Sequence, residues 1–187
     1  MSDAGSAGAV APQVMRDVLG HFASGVTVVT ASTVDVCRAA VTAGADALCL
    51  GDTIGTTTPA RVVRLLQAVR RACPGTPVAV HFHDTRGTGQ ANALAALQAG
   101  VTQLDASVGG LGGCPFAPGA SGNIATEELV YWLADAEVST GIDLDALLAA
   151  AAVTERAVGH ALPSSLYRAG GRNAPRGPVP ARDVMQA

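Results

Sequence analysis

Pro77-Val78-Ala79-Val80-His81-Phe82-His83-Asp84-Thr85 is the stretch that decides the fold. An apolar, β-branched run enters on a proline and ends in two alternating histidines and an acid. Such a run reads as a buried strand with a polar C-terminal end. Side chains alternate across a strand, so His81 and His83 lie on one side of it. The flanking sequence repeats the pattern. Gly25 to Ala31 reads as a strand, and Ser32 or Thr33 caps a helix that runs to Ala43 and stops at Gly44. Ala47 to Leu50 is a strand closing on Gly51-Asp52-Thr53, and Pro59 opens a helix to Ala72. Pro74-Gly75 turns into the strand Pro77 to His83. A helix over Gly89 to Ala99 stops at Gly100, and Val101 to Val108 is the next strand. Helices are also expected over residues 12–23, Thr126 to Ala136 and Leu144 to His160.

This is a βα unit repeated four times, with short, uniformly apolar strands suited to a parallel sheet buried on both faces. Polar residues follow each strand: Asp52-Thr53, then His81 and His83-Asp84, then the loop around Cys114. In (β/α) barrels that end is the catalytic face. A closed barrel takes eight strands and about 250 residues, so 187 residues hold roughly half of one. The expected fold is α/β, a partial TIM barrel.

Hydrophobic residues make up 49% of the chain but aromatics only 3%, so Ala, Val and Leu must build the core. Twelve Lys and Arg against fifteen Asp and Glu, a net charge of −3, argue against a nucleic-acid surface. The arginines from Arg61 to Arg71 read as a solvated helix face. No apolar run is long enough for a membrane span, and Met1 to Gly5 does not open a secretory signal. Cys37, Cys49, Cys73 and Cys114 match neither a zinc knuckle nor a disulfide framework, and the first three read as small buried hydrophobes in a reducing cytoplasm.

Two imidazoles two residues apart on a strand can reach one divalent ion. They can equally be strand-end histidines bonded to backbone. Cys114 lies in Gly112-Gly113-Cys114-Pro115, where a thiol can exchange a proton with a carbanion or an alcohol, or simply fill a tight turn. Asn123 offers an amide oxygen to Mg²⁺ or Mn²⁺, or caps the helix that follows. Glu127 stands in that helix's first turn, where the dipole favours a carboxylate. Asp52 is open to three roles: general base, orienting group, or helix-entry turn. Asp105 either faces the barrel interior or bonds a neighbour.

His81 to Gly87, Ala91-Asn92, Ala106 to Ala117 and Gly119 to Glu127 together resemble the hydroxymethylglutaryl-CoA lyase family, as does Leu50-Gly51-Asp52-Thr53-Ile54-Gly55. The resemblance runs from Ser32 to Gly170. It implies the last four βα units of a TIM barrel and a retro-Claisen cleavage of 3-hydroxy-3-methylglutaryl-CoA to acetyl-CoA and acetoacetate, a step of leucine catabolism. It implies Mg²⁺ or Mn²⁺ as cofactor, held by His81, His83 and Asn123, and an acyl-CoA as substrate. Cys114 would be the catalytic thiol and Asp52 a catalytic group near the substrate hydroxyl. Glu127 falls at a family position near the site. The Gly-Gly-Cys-Pro loop separates these lyases from the related isopropylmalate and homocitrate synthases.

The family's first strand carries an Arg-Asp pair, the Asp a metal ligand and the Arg a stabiliser of the enolate oxygen, and nothing here matches it. Arg16-Asp17 lacks the surrounding residues. Gln13 to Ala31 resembles instead the start of small split-barrel flavin reductases, with no flavin expected. The chain is thus expected to divide into a foreign-looking segment 1–31, a lyase-like half-barrel 32–170 and a tail 171–187. The expected partner is a second copy or a complementing N-terminal half. The alternative reading is a non-catalytic remnant or assembly module.

Overall fold

The computed structural model describes residues 26–27, 33–113 and 122–171. Four parallel strands form one sheet in chain order: β1 (Val26–Thr27), β2 (Leu48–Asp52), β3 (Val78–Phe82) and β4 (Gln103–Asp105). Leu48 to Asp52 run beside Val78 to Phe82, and Ala79 to His81 beside Gln103 to Asp105. The helices α1 (Thr33–Thr42), α2 (Pro59–Ala72) and α3 (Gly89–Gln98) alternate with the strands. Parallel neighbours joined in chain order need crossovers of one hand, which stack every helix on the same face.

Burial follows that geometry. Leu48, Leu50, Val78, Val80 and Phe82 form one core with Cys37 of α1, Val62, Leu66 and Val69 of α2, and Ala93 and Ala96 of α3. In α2 the buried residues recur at helical spacing, and Pro59 starts the helix where a missing N–H costs nothing. Alternate residues, Cys49 and Gly51 on β2 and Ala79 and His81 on β3, are only half-buried on the other face. The strands are therefore covered on one face among the described residues, not on both as their uniform apolarity suggests. Cys49 accordingly is not a core residue like Cys37 and Cys73. Burial, then the charge of Asp105, pushes its thiol up, so it stays protonated.

The fourth strand is shorter than the expected Val101 to Val108. Val108 to Gly110 form a 3₁₀ turn with Gly109 at φ +65° and Gly110 at +70°. Two left-handed glycines cannot continue an extended run. Three helices follow: α4 (Thr126–Asp135), α5 (Leu144–Val158) and α6 (Ser165–Ala169). α5 ends at Val158, capped by Gly159, two residues before the expected His160. The short α6 is invisible to periodicity because it is little more than one turn. The expected helix over 12–23 and the tail lie outside the described residues. Of the expected strand Gly25 to Ala31, Val26–Thr27 is described, and it pairs with β2. Among the described residues no helix is long and apolar enough to cross a membrane.

Candidate active site

The site begins where β3 ends. His81 stands on the open face between its register partners Gly51 and Asp105. Its Nδ1 lies 2.9 Å from the Asp105 carboxylate. An ionised carboxylate only accepts, so the proton sits on Nδ1 and the lone pair on Nε2. Asp105→Asn is expected to weaken Mn²⁺ binding about tenfold, measured by the free-ion EPR signal, because the amide does not enforce that tautomer. His83 continues past the strand, and its ring meets that of His81 edge to face at 5.1 Å. It is buried, and its Nδ1 has no hydrogen-bond partner among the described residues. Burial and the neighbouring His81 push its pKa down against the pull of Asp52, which favours the neutral, ligating form.

Residues 122–125 cross the ends of β3 and β4. Asp84 N–H donates to Gly122 O, Ile124 N–H to Phe82 O, Ser107 N–H to Ile124 O, and Thr126 N–H to Ser107 O. This brings Asn123 opposite His83 in an antiparallel bridge. The Asn123 amide donates from Nδ2 to Leu111 O at 2.9 Å and to Ser107 Oγ at 3.4 Å. Its Oδ1 is buried without a partner among the described residues. Two orphaned polar atoms on facing residues, beside the free Nε2 of His81, fit a divalent cation bound through two imidazoles and an amide oxygen. No three His, Cys, Asp or Glu side chains converge among the described residues, so this donor set has no anion of its own.

Asp52 is buried, and its two oxygens accept Thr56 N–H at 3.0 Å and Thr57 N–H at 2.9 Å. Of the three roles open to it, the structure shows the turn directly, and its charge reaches His83. Glu127 is fully buried, and both its oxygens accept the Gly109 N–H, at 2.8 and 3.0 Å. It therefore anchors the root of the glycine loop. Burial pushes its carboxyl up, backbone N–H groups pull it down, and Glu128 pushes it up again, for a net rise. A raised folded-state pKa means the folded chain holds this proton while the unfolded chain has released it. Stability then falls as pH rises from about 4.3, the ordinary glutamate value, through the folded-state pKa. Glu127→Gln is expected to flatten that fall, seen in urea midpoints taken across the pH series. Cys114 lies outside the described residues.

Sequence reasoning passed over Asn92, which is completely buried in α3. Its Nδ2 donates to Thr57 O, and Thr88 Oγ1 donates to the same carbonyl, so α3 fixes the Asp52–Thr57 turn. The available signal was an amide one residue before the buried Ala93, among the alanines and leucines of the helix.

The HMGL-like family model matches residues 13–154, most of the chain. The chain belongs to the HMGL-like family. That match takes in the Gln13–Ala31 stretch as well as the barrel strands. The HMGL-like chain is 51% identical to the hydroxymethylglutaryl-CoA lyase of Bacillus subtilis over 65% of its own length and 40% of the relative's. It is 46% identical to the (R)-citramalyl-CoA lyase of Chloroflexus aurantiacus over 70% of its length and 41% of that protein's. Among solved structures, a lyase from Acinetobacter baumannii in complex with coenzyme A and 3-methylmalate superposes with a TM-score of 0.72 at 40% identity, covering 81% of this chain and 50% of that one. The HMGL-like chain thus spans two fifths to one half of these three proteins, and its partial α/β barrel is theirs.

Proposed function

We propose that the chain supplies half of the active site of a divalent-metal-dependent carbon–carbon lyase acting on an acyl-CoA. Hydroxymethylglutaryl-CoA is the leading substrate and citramalyl-CoA the runner-up, after the lyases it resembles. The observation that carries this reading is the facing pair of orphaned donors, His83 Nδ1 and Asn123 Oδ1, beside His81. These three residues would hold Mg²⁺ or Mn²⁺. When bound, the ion supplies a Lewis acid for the substrate's hydroxyl and an adjacent oxygen.

Loss of the 3-hydroxyl proton to a base lets the hydroxyl oxygen form the new ketone as the bond from C3 to the thioester's α-carbon breaks. The electron pair passes to the thioester as an enolate. Cys114 then donates a proton to the α-carbon, giving acetyl-CoA and acetoacetate. Asp52 contributes negative charge near His83, and Asp105 keeps the Nε2 of His81 available.

The rest of the family barrel would cover the open sheet face and bring an anionic ligand, as a complementing half or a second copy. A groove of about 730 Å³ runs along β4, the last strand of the sheet, lined by Gln103, Leu104, Asp105, Leu129, Leu133 and Ile142. The decisive experiment is acetoacetate release from hydroxymethylglutaryl-CoA with excess Mn²⁺, together with citramalyl-CoA as competitor substrate. Turnover abolished by His81→Ala and Cys114→Ala supports the reading. A folded chain that neither turns over nor binds Mn²⁺ sinks it and leaves the assembly-module alternative.

A further inference from the structure

Gly109 is held from three directions. Its N–H donates to both oxygens of Glu127, its carbonyl accepts Ser164 N–H at 2.9 Å, and its bare face lies under Leu162. A Cβ there would stand 2.6 Å from Leu162 Cδ1. Leu162 and Ser164 are themselves buried. They belong to the segment between α5 and α6, which is tied down by further bonds. Leu162 N–H and Tyr167 O–H donate to Glu155, and Ser164 Oγ, Ser165 N–H and Leu166 N–H donate to Glu128.

Two residues beyond Gly109, the Leu111 carbonyl accepts from Asn123 Nδ2 and from Ser107 Oγ. This contact decides which way the Asn123 amide faces. Turned over, its oxygen would meet a carbonyl oxygen, and a repulsion would replace a hydrogen bond. With Nδ2 committed to Leu111, Oδ1 is left as the unpartnered atom. Gly112 allows this approach, because a Cβ at that position would lie 2.6 Å from Asn123 Nδ2.

We infer that Leu162 and Ser164 are positioning residues for the candidate site: by clasping Gly109 they set the Leu111 carbonyl, which orients the Asn123 amide oxygen as a ligand. The segment after α5, remote in sequence from the histidines, thereby becomes part of the metal site's construction. The inference rests on the proposed metal reading for its consequence, but the orientation of the amide stands apart from any metal.

The test uses the full 187-residue chain and two readouts: hydrogen-exchange protection of the Asn123 side-chain NH₂ by NMR, and Mn²⁺ affinity by EPR. Gly109→Ala pushes Leu162 away. It is expected to speed Asn123 amide exchange by about fivefold or more and to weaken Mn²⁺ binding by about ten- to a hundredfold. Leu162→Ala opens a gap over Gly109 and acts in the same direction. Where Gly109→Ala does not fold, it serves alone. Combining the two removes the clash with Leu162 but leaves an alanine at φ +65°, so the two effects are expected to be less than additive, as for a contacting pair, without a return to the wild type. Unchanged Asn123 protection in a folded Gly109→Ala or Leu162→Ala chain overturns the inference. A wild-type chain with a protected Asn123 amide, released in the single variants, but with no Mn²⁺ binding, would defeat the metal reading and leave the positioning role established.

Discussion

Gly122→Ala is expected to destabilise the chain by more than about 4 kcal/mol and to dismantle the candidate site. A Cβ at residue 122 would lie 2.0 Å from Gly110 O and 2.7 Å from Gly112 O. Both are backbone atoms that no rotamer change can move. The two chain segments meet here backbone to backbone, and that contact puts Asn123 opposite His83 and Leu111 O under the Asn123 amide. Moving them apart breaks the bonds from Asp84 N–H to Gly122 O and from Ile124 N–H to Phe82 O, leaving buried backbone groups unpaired. Gly113→Ala is the matched control. Among the described residues a Cβ there meets nothing within 4 Å, so its urea midpoint should stay within about 0.5 kcal/mol of the parent. Equal midpoints for the two variants would mean that the segments do not pack as described.

His83→Ala is expected to cost more than about a hundredfold in Mn²⁺ affinity, beyond the range of an outer-shell partner such as Asp105. The metal-free chain should suffer much less. His83 Nδ1 is buried without a partner, so its removal lifts a desolvation penalty that offsets part of the lost packing. The clearest signature is therefore the response to metal. At a hundredfold excess over Kd, Mn²⁺ should stabilise the parent by about 2.7 kcal/mol, and that increment should vanish in His83→Ala. Thermal melts with and without Mn²⁺ measure it directly. A variant that keeps the increment would place the ion elsewhere.

Much of the architecture was legible before any coordinates. The helix over Pro59–Ala72 declared itself through Pro59 and the spacing of Val62, Leu66 and Val69. β3 declared itself through an apolar run ending in alternating histidines. These are local signals, written within one element. The one-sided burial of the sheet was not legible, because uniform apolarity looks alike whether one or both faces are covered. Cys49 was misplaced for the same reason: only the pairing of β2 with β3 shows which way it points.

The candidate site divides along the same line. His81, His83 and Asn123 were recognisable by residue type and spacing, and the family match by motif. Asp52 and Glu127 were recognised as site residues, but their carboxylates proved to be committed to backbone N–H groups at Thr56, Thr57 and Gly109. A sequence names an acid; it does not show how many donors already surround it. Asn92 and Leu162 carried weaker signals still, because their partners lie 35 residues away at Thr57 and far upstream at Gly109.

By itself the sequence determined the repeating βα order, the polar ends of the strands and the family, since periodicity, turn residues and motifs are properties of neighbouring positions. Only the tertiary structure decided which donors are left free. That depends on hydrogen bonds closed between distant segments, such as Leu111 to Asn123 and Asp105 to His81, and on the glycine surfaces that let those segments touch.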